Sequence, residues 1–363
     1  MYQLIWHQVF SNYHNLSFAP NNRTETLRIK QNLSGDGVRV EFSNRYDKES
    51  MKMKWAKVST DPQMANAIFL TLNKEQAFAI PAGQSGWSDV AEINVPAKAN
   101  IYIALEVMNE ANNLATSAHS FSDQIFQTNI DDFSTNFVYG ITSVALQTEK
   151  HGVTIGFFGD SLTNQGYYAD AATISLYENL EGVSAINEGI SGNRLLLPGT
   201  SQSEWKDSFG QSAVERFSHL VKYHPDAAVV LIGDNDLYQV GTDNQAEMPT
   251  AVQMITALQR IKNEATVSGI LPIFVTLTPF KDALSGEKEA WSSEKETIRN
   301  QVNDWIREQK NRIDLDRFTK DVSDSRKLAP QFDSGDHLHF SISGGKLIGS
   351  FMAEQIIHLL KER

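Results

Sequence analysis

The sequence predicts an α/β protein with a parallel sheet, preceded by an antiparallel β-sandwich. Three observations carry this. Over the first 150 residues apolar and polar side chains alternate with a period of two. Clusters of turn-forming residues separate these runs. After about Lys150 short apolar runs alternate with stretches of helical period. The expected division is a sandwich over residues 1–148 and an α/β domain over 149–363, and a chain of 363 residues is long enough for both.

In the first part Val38, Val40 and Phe42 alternate with Arg39 and Glu41, which puts one face in a core and one in water. Leu27 and Ile29 do the same, as do Met53 and Trp55 between lysines. The runs 67–72, 92–95, 101–107 and 137–146 keep the pattern. Ser34-Gly35-Asp36-Gly37, Asn44-Arg45-Tyr46-Asp47 and Pro81-Ala82-Gly83 supply turns. Many short strands with almost no helical period predict a sandwich. In the second part 153–157 suits a buried parallel strand. A helix over 168–180, a strand over 183–187, a helix over 212–223 and a strand over 227–232 follow. Next come a helix over 251–265, a strand over 271–277 and helices over 293–309 and 345–360. Val252, Ile255, Leu258 and Ile261 recur every three residues and predict one buried helix face. Strands alternating with helices give a parallel sheet covered on both sides, with reactive groups at the strands' carboxyl ends.

Composition excludes several function classes. The net charge is −12; residues 1–150 hold 12 Lys+Arg against 15 Asp+Glu, leaving 20 against 29 in the remainder. So acidic a second part repels phosphate backbones and anionic headgroups, so neither nucleic acid nor a membrane surface is an expected partner. The absence of cysteine excludes disulfides, thiolate metal sites and a cysteine nucleophile. No basic segment with a following apolar run opens the chain, and no apolar stretch approaches membrane-spanning length. A cytoplasmic location is the expectation.

Four segments carry chemistry. Gly159-Asp160-Ser161-Leu162-Thr163 follows the first parallel strand, where a serine hydroxyl is exposed beside a helix N-terminus. A serine there also reads as a helix N-cap. Asn187-Glu188-Gly189-Ile190-Ser191-Gly192-Asn193 follows the next strand; its glycines let backbone N–H groups approach a ligand, or simply make a turn. Gly233-Asp234-Asn235-Asp236 offers either a neutral amide donor for an oxyanion or an Asx turn. Asp336-His337-Leu338-His339 precedes the last helix, and an Asp three residues before a His can hold Nδ1–H while Nε2 takes a proton from serine. Asp336, His337 and His339 also suggest a metal site, although no further His or Cys ligand lies nearby. Arg194 stands close behind Gly192, placed either to meet a polar or anionic substrate group or to take a surface or salt-bridging role. Asp160 and Asp236 read as loop braces, and Tyr167, Tyr168 and Tyr238 as pocket lining or packing.

These segments resemble the four blocks of the SGNH/GDSL hydrolase family. Gly159-Asp160-Ser161-Leu162 looks like the first block, Asn187 to Gly192 the second, Gly233-Asp234-Asn235-Asp236 the third and Asp336-His337-Leu338-His339 the D-x-x-H block. The stretches 38–44, 190–196, 277–280 and 333–339 are further similar to bacterial members with an N-terminal β-sandwich. The resemblance implies a jelly-roll-like first part and a flavodoxin-like three-layer α/β/α hydrolase after it. Thr163-Asn164-Gln165-Gly166 places its glycine later than many relatives do, and Phe340 stands where proline is commoner. The Gly-x-Ser-x-Gly elbow of another hydrolase fold is absent, because Thr163 occupies its last position.

The expected activity is a serine esterase or acylhydrolase acting on a small or carbohydrate-linked acyl ester through an acyl-enzyme. Ser161, Asp336 and His339 are the expected catalytic residues; Ser161, Gly192 and Asn235 are the expected oxyanion donors; no metal or cofactor is needed. An acyltransferase using the same acyl-enzyme is one alternative, and a carbohydrate-binding protein with an idle hydrolase domain is another. A homo-oligomer is compatible with the sequence.

Overall fold

The computed structural model describes residues 1–14, 23–109, 116–129, 131–132, 135–199, 204–241 and 247–362. Contacts group Met1–Thr154 with Leu176–Asn187 as one compact unit and Ile155–Ser175 with Glu188–Arg363 as the other.

Residues 1–147 build antiparallel sheets. One runs in the order Tyr2–His7, Ile141–Gln147, Gly35–Ser43, Ser85–Trp87, with Ala91–Val95 also paired to Gly35–Ser43. A second runs Phe126–Thr128, Thr24–Ile29, Ile101–Val107, Met51–Ser59, Ile68–Leu70, with Phe78–Ile80 also on Met51–Ser59. A third comprises Asp131–Asp132, Thr135–Tyr139, Thr116–Ser120 and Ser11–Asn12. Alternation drives burial: Val38, Val40, Phe42, Ile101, Ile103 and Leu105 are fully buried. Arg39, pointing the other way, lies over the rings of Tyr2 and Trp87 at 4.7 and 5.1 Å. The inner faces of the first two sheets meet through Trp6 on Phe126 (5.4 Å) and Phe42 on Phe78 (5.1 Å).

Two details depart from the alternation. Trp55 is only half-buried and donates from Nε1 to Glu106 at 2.7 Å. A register shift where Glu106 and Val107 pair with Trp55 and Met53 moves it off the core face. The run 137–146 is two strands on different sheets, because Gly140 at φ +71° turns the chain between Tyr139 and Ile141.

The second architecture is a parallel sheet in the order Val183–Gly189, Val153–Gly159, Ala227–Leu231, Leu271–Val275, Arg312–Ile313. Gly159 lies opposite Leu231 in register, so two neighbouring strands end level and release the loops 160–163 and 232–236 side by side. The helices are α1 (Ser161–Asn164), α2 (Tyr167–Asn179), α3 (Ala213–Val221), α4 (Asp234–Tyr238), α5 (Ala251–Val267), α6 (Ser293–Arg307), α7 (Leu315–Thr319) and α8 (Ile342–Lys361). Thr250 and Gln253 form a capping box at the start of α5. Its buried stripe is Met254, Ala257, Leu258, Ile261 and Ala265. The expected three-residue stripe therefore holds only in part. Val252 is 72% exposed, since a spacing of three drifts around a helix of 3.6 residues per turn.

Candidate active site

Ser161 owes its position to a tight strand-to-helix turn. Asp160 is the N-cap of α1 and accepts the Leu162 N–H at 3.1 Å, so Ser161 is the first helical residue and not the cap. At that position its N–H lacks an intrahelical acceptor. Gly159 has no space for a side chain: a Cβ would sit 2.1 Å from Thr163 Oγ1 and 2.4 Å from the Leu231 carbonyl.

The loop before α8 brings the imidazole to this serine. His339 Nε2 lies 2.9 Å from Ser161 Oγ, across 178 residues of sequence. Its Nδ1 lies 2.6 Å from Asp336 Oδ2. The other Asp336 oxygen accepts the N–H groups of His339 (2.8 Å) and Leu338 (3.0 Å) and the hydroxyl of Ser334 (2.9 Å). Burial alone would raise the Asp336 pKa; the His339 ring and these backbone donors outweigh it and hold the carboxylate well below its ordinary range. His337, at φ +64°, turns away and pairs its Nδ1 with Asp333 Oδ2 at 2.6 Å. The two histidines thus serve separate carboxylates. Among the described residues no group of three His, Cys, Asp or Glu side chains could hold a metal ion.

The remaining loops supply donors. Gly192 sits at φ +74°, and a Cβ there would lie 2.2 Å from the ring of Phe209. The N–H groups of Ser161 and Gly192 find no acceptor among the described residues. Asn235, in the first turn of α4, donates one amide hydrogen to the Asn193 carbonyl at 3.0 Å, leaving its second. Gln239 was not anticipated from sequence. Its Nε2 reaches the Gly192 carbonyl at 3.0 Å and Asn235 Oδ1 at 3.1 Å, so one side chain orients both candidate donors. The i,i+4 spacing of Asn235 and Gln239 was the available signal.

Arg216 of α3 was also missed. Buried at 2% exposure, it donates to the Gly159 carbonyl (2.6 Å), the Glu188 carbonyl (2.8 Å) and Asn193 Oδ1 (2.8 Å). Its guanidinium stacks 4.1 Å from the Phe158 ring centroid and lies 3.6 Å from the buried Glu188 carboxylate. One cation thus ties the ends of two strands to the Gly192 loop. Asn193 adds bonds from Nδ2 to the Phe209 and Gln211 carbonyls, both 2.7 Å.

The aspartates behave as braces. Asp236 accepts the N–H groups of Leu195 (2.6 Å) and Leu196 (3.0 Å). Burial pushes Asp236 up to about 6 against the opposing pull of those N–H groups and of Arg194. Asp160 is pushed up to about 7 by burial, opposed by the Leu162 N–H and the charge of His339. Asp234 rises well above the carboxylate range through burial and the charge of Asp160. Tyr168 is packing, its hydroxyl 2.7 Å from Thr163 Oγ1, and the Tyr238 hydroxyl donates to the Leu284 carbonyl at 2.6 Å. Tyr167 is half-buried. Arg194 is not at the surface: it is 1% exposed.

A family model described as GDSL-like lipase/acylhydrolase matches residues 157–347. Similar solved structures include a GDSL-like lipase from Bacteroides thetaiotaomicron, 17% identical over 58% of this chain and 88% of that one, with a TM-score of 0.40. Another is a psychrotrophic esterase from Pseudoalteromonas sp., 16% identical over 57% and 98%, with a TM-score of 0.41. No curated protein matches. Among the described residues no helix is long and apolar enough to cross a membrane. The family match spans more than half of the chain and contains Ser161, Gly192, Asn235, Asp336 and His339, so the chain belongs to the GDSL-like lipase/acylhydrolase family and is an ester hydrolase.

Proposed function

We propose that the protein cleaves a small or carbohydrate-linked acyl ester through an acyl-enzyme on Ser161. The observation that carries this is the unbroken chain from Ser161 Oγ to His339 Nε2 (2.9 Å) and from His339 Nδ1 to Asp336 (2.6 Å). Ser161 Oγ attacks the ester carbonyl carbon while its proton passes to His339 Nε2. Asp336, kept ionised, holds the Nδ1–H tautomer and stabilises the imidazolium. The N–H groups of Ser161 and Gly192 and the Asn235 amide receive the tetrahedral oxyanion. His339 then protonates the leaving alcohol; water, deprotonated by the same ring, releases the acid and restores the serine. No step requires a metal or organic cofactor. Residues 1–148 serve as an accessory sandwich and 149–363 as the catalytic domain. The net negative charge of the second part disfavours an anionic lipid surface as the place where substrate is met.

The test is a panel of p-nitrophenyl esters from acetate to decanoate, together with acetylated sugars, on the purified chain. Short acyl groups are expected to be turned over fastest, and Ser161→Ala should melt like the parent with no turnover. Full activity in Ser161→Ala would remove the nucleophile from this scheme.

A further inference from the structure

A cavity of about 790 Å³ lies beyond the Gly192 loop, in the size range of small-molecule sites. Its walls are largely apolar, among them Leu196, Leu197, Val214, Met248, Val252 and Ala257. Glu247 and Arg260 stand exposed at the margin. The first turn of α5, with its positive dipole end, borders the same space through Thr250 and Gln253.

One lining residue is out of keeping with an apolar cavity. Arg194 is 1% exposed, and its Nε and Nη1 are buried with no hydrogen-bond acceptor among the described residues. The carboxylate whose charge acts on it, Asp236, already has both oxygens engaged by the N–H groups of Leu195 and Leu196. A guanidinium taken out of water without a hydrogen-bonded anion is costly, and its planar fork of donors matches a carboxylate. Val252, the position that breaks the buried stripe of α5, exposes its apolar side chain at this cavity.

We infer that this cavity is a binding site for an organic carboxylate with an apolar body, its anionic end seated on Arg194 and its hydrocarbon against Leu196, Leu197 and Val252. The site does not depend on the ester chemistry, so Ser161→Ala should bind the same ligand.

Calorimetric titration of the full chain at pH 7 with octanoate, octan-1-ol and acetate tests this. Octanoate should bind more tightly than either of the others, since only it satisfies both the cation and the walls. Arg194→Met should weaken octanoate about 10- to 100-fold, the worth of a charge-assisted hydrogen bond, and leave octan-1-ol unchanged. A melt of that variant without ligand, beside the parent's, tells a loss of folding from a loss of binding. Val252→Trp, at an exposed position, should weaken octanoate and octan-1-ol together. The inference is overturned if octanoate does not bind, if octan-1-ol binds as tightly, or if Arg194→Met leaves octanoate affinity intact. Should Arg194→Met fail to fold, the ligand comparison on the parent and the Val252→Trp result still decide.

Discussion

Arg216→Met removes the cation that joins two strand ends to the Gly192 loop while keeping most of the side chain's volume. Three hydrogen bonds of 2.6–2.8 Å go with it. Gly159 O keeps the Ile190 N–H at 3.1 Å, whereas Asn193 Oδ1 loses its Arg216 donor. The Glu188 carboxylate, 1% exposed, loses a guanidinium 3.6 Å away. Breaking a buried pair from one side costs about 3–5 kcal/mol. That is a large part of the roughly 5–15 kcal/mol that holds a typical domain together. For a unit of this size the melting temperature should fall by about 6–20 °C. Far-UV circular dichroism on heating measures it. Turnover of p-nitrophenyl acetate at 25 °C should fall as well, because Asn193 and Gly192 belong to one braced loop. Arg216→Met combined with Glu188→Gln should recover about 0.5–3 kcal/mol relative to the sum of the single changes, since the carboxylate charge that Arg216 faces is gone as well. A drop below about 2 °C, or strict additivity in the double variant, would refute the electrostatic part of this reasoning.

Two further outcomes rest on single contacts. Asn235→Ala should lower kcat about 10²–10³-fold with a smaller change in KM, because the amide acts on charge that develops in the transition state. It should also cost about 1–3 kcal/mol of stability through the Asn193 carbonyl that it now caps; steady-state kinetics beside a melt separate the two. Asp160→Asn keeps an N-cap but cannot ionise. The Asp160 pKa is raised from 3.8 to about 7, so its stabilising contribution is complete below about pH 4 and lost as pH climbs through 7. The variant's stability relative to the parent should therefore increase from pH 4 to 8, and a constant difference in melts across that range would contradict the buried-carboxylate reading.

What could be read from the chain follows from how local each signal is. Strand alternation at Val38, Val40 and Phe42 is written in adjacent letters, and these residues are fully buried. The D-x-x-H spacing compresses the His339–Asp336 contact into three residues, so it too is visible. Ser161 and His339 meet across 178 residues, a juxtaposition that only the order of strands creates. Arg216 was invisible because an arginine amid Ser212-Ala213-Val214-Glu215 reads as a solvated helix face; its burial depends on where α3 meets the strand ends. Phe209, whose ring fills the space beside Gly192, lies in a short helix, Glu204–Phe209, that carries no periodic signal. Val252 was misread because a spacing of three mimics a stripe over one turn and leaves it over two.

The acyl-enzyme scheme requires Ser161 to carry the acyl group. Rapid acid quench of the enzyme with a p-nitrophenyl ester, followed by peptide mass spectrometry, addresses it directly, with Ser161→Ala treated in parallel. The expected result is an acyl mass increment confined to the peptide containing Ser161 and absent from Ser161→Ala. Ester cleavage with the increment on another side chain, or equal turnover by Ser161→Ala, would contradict it.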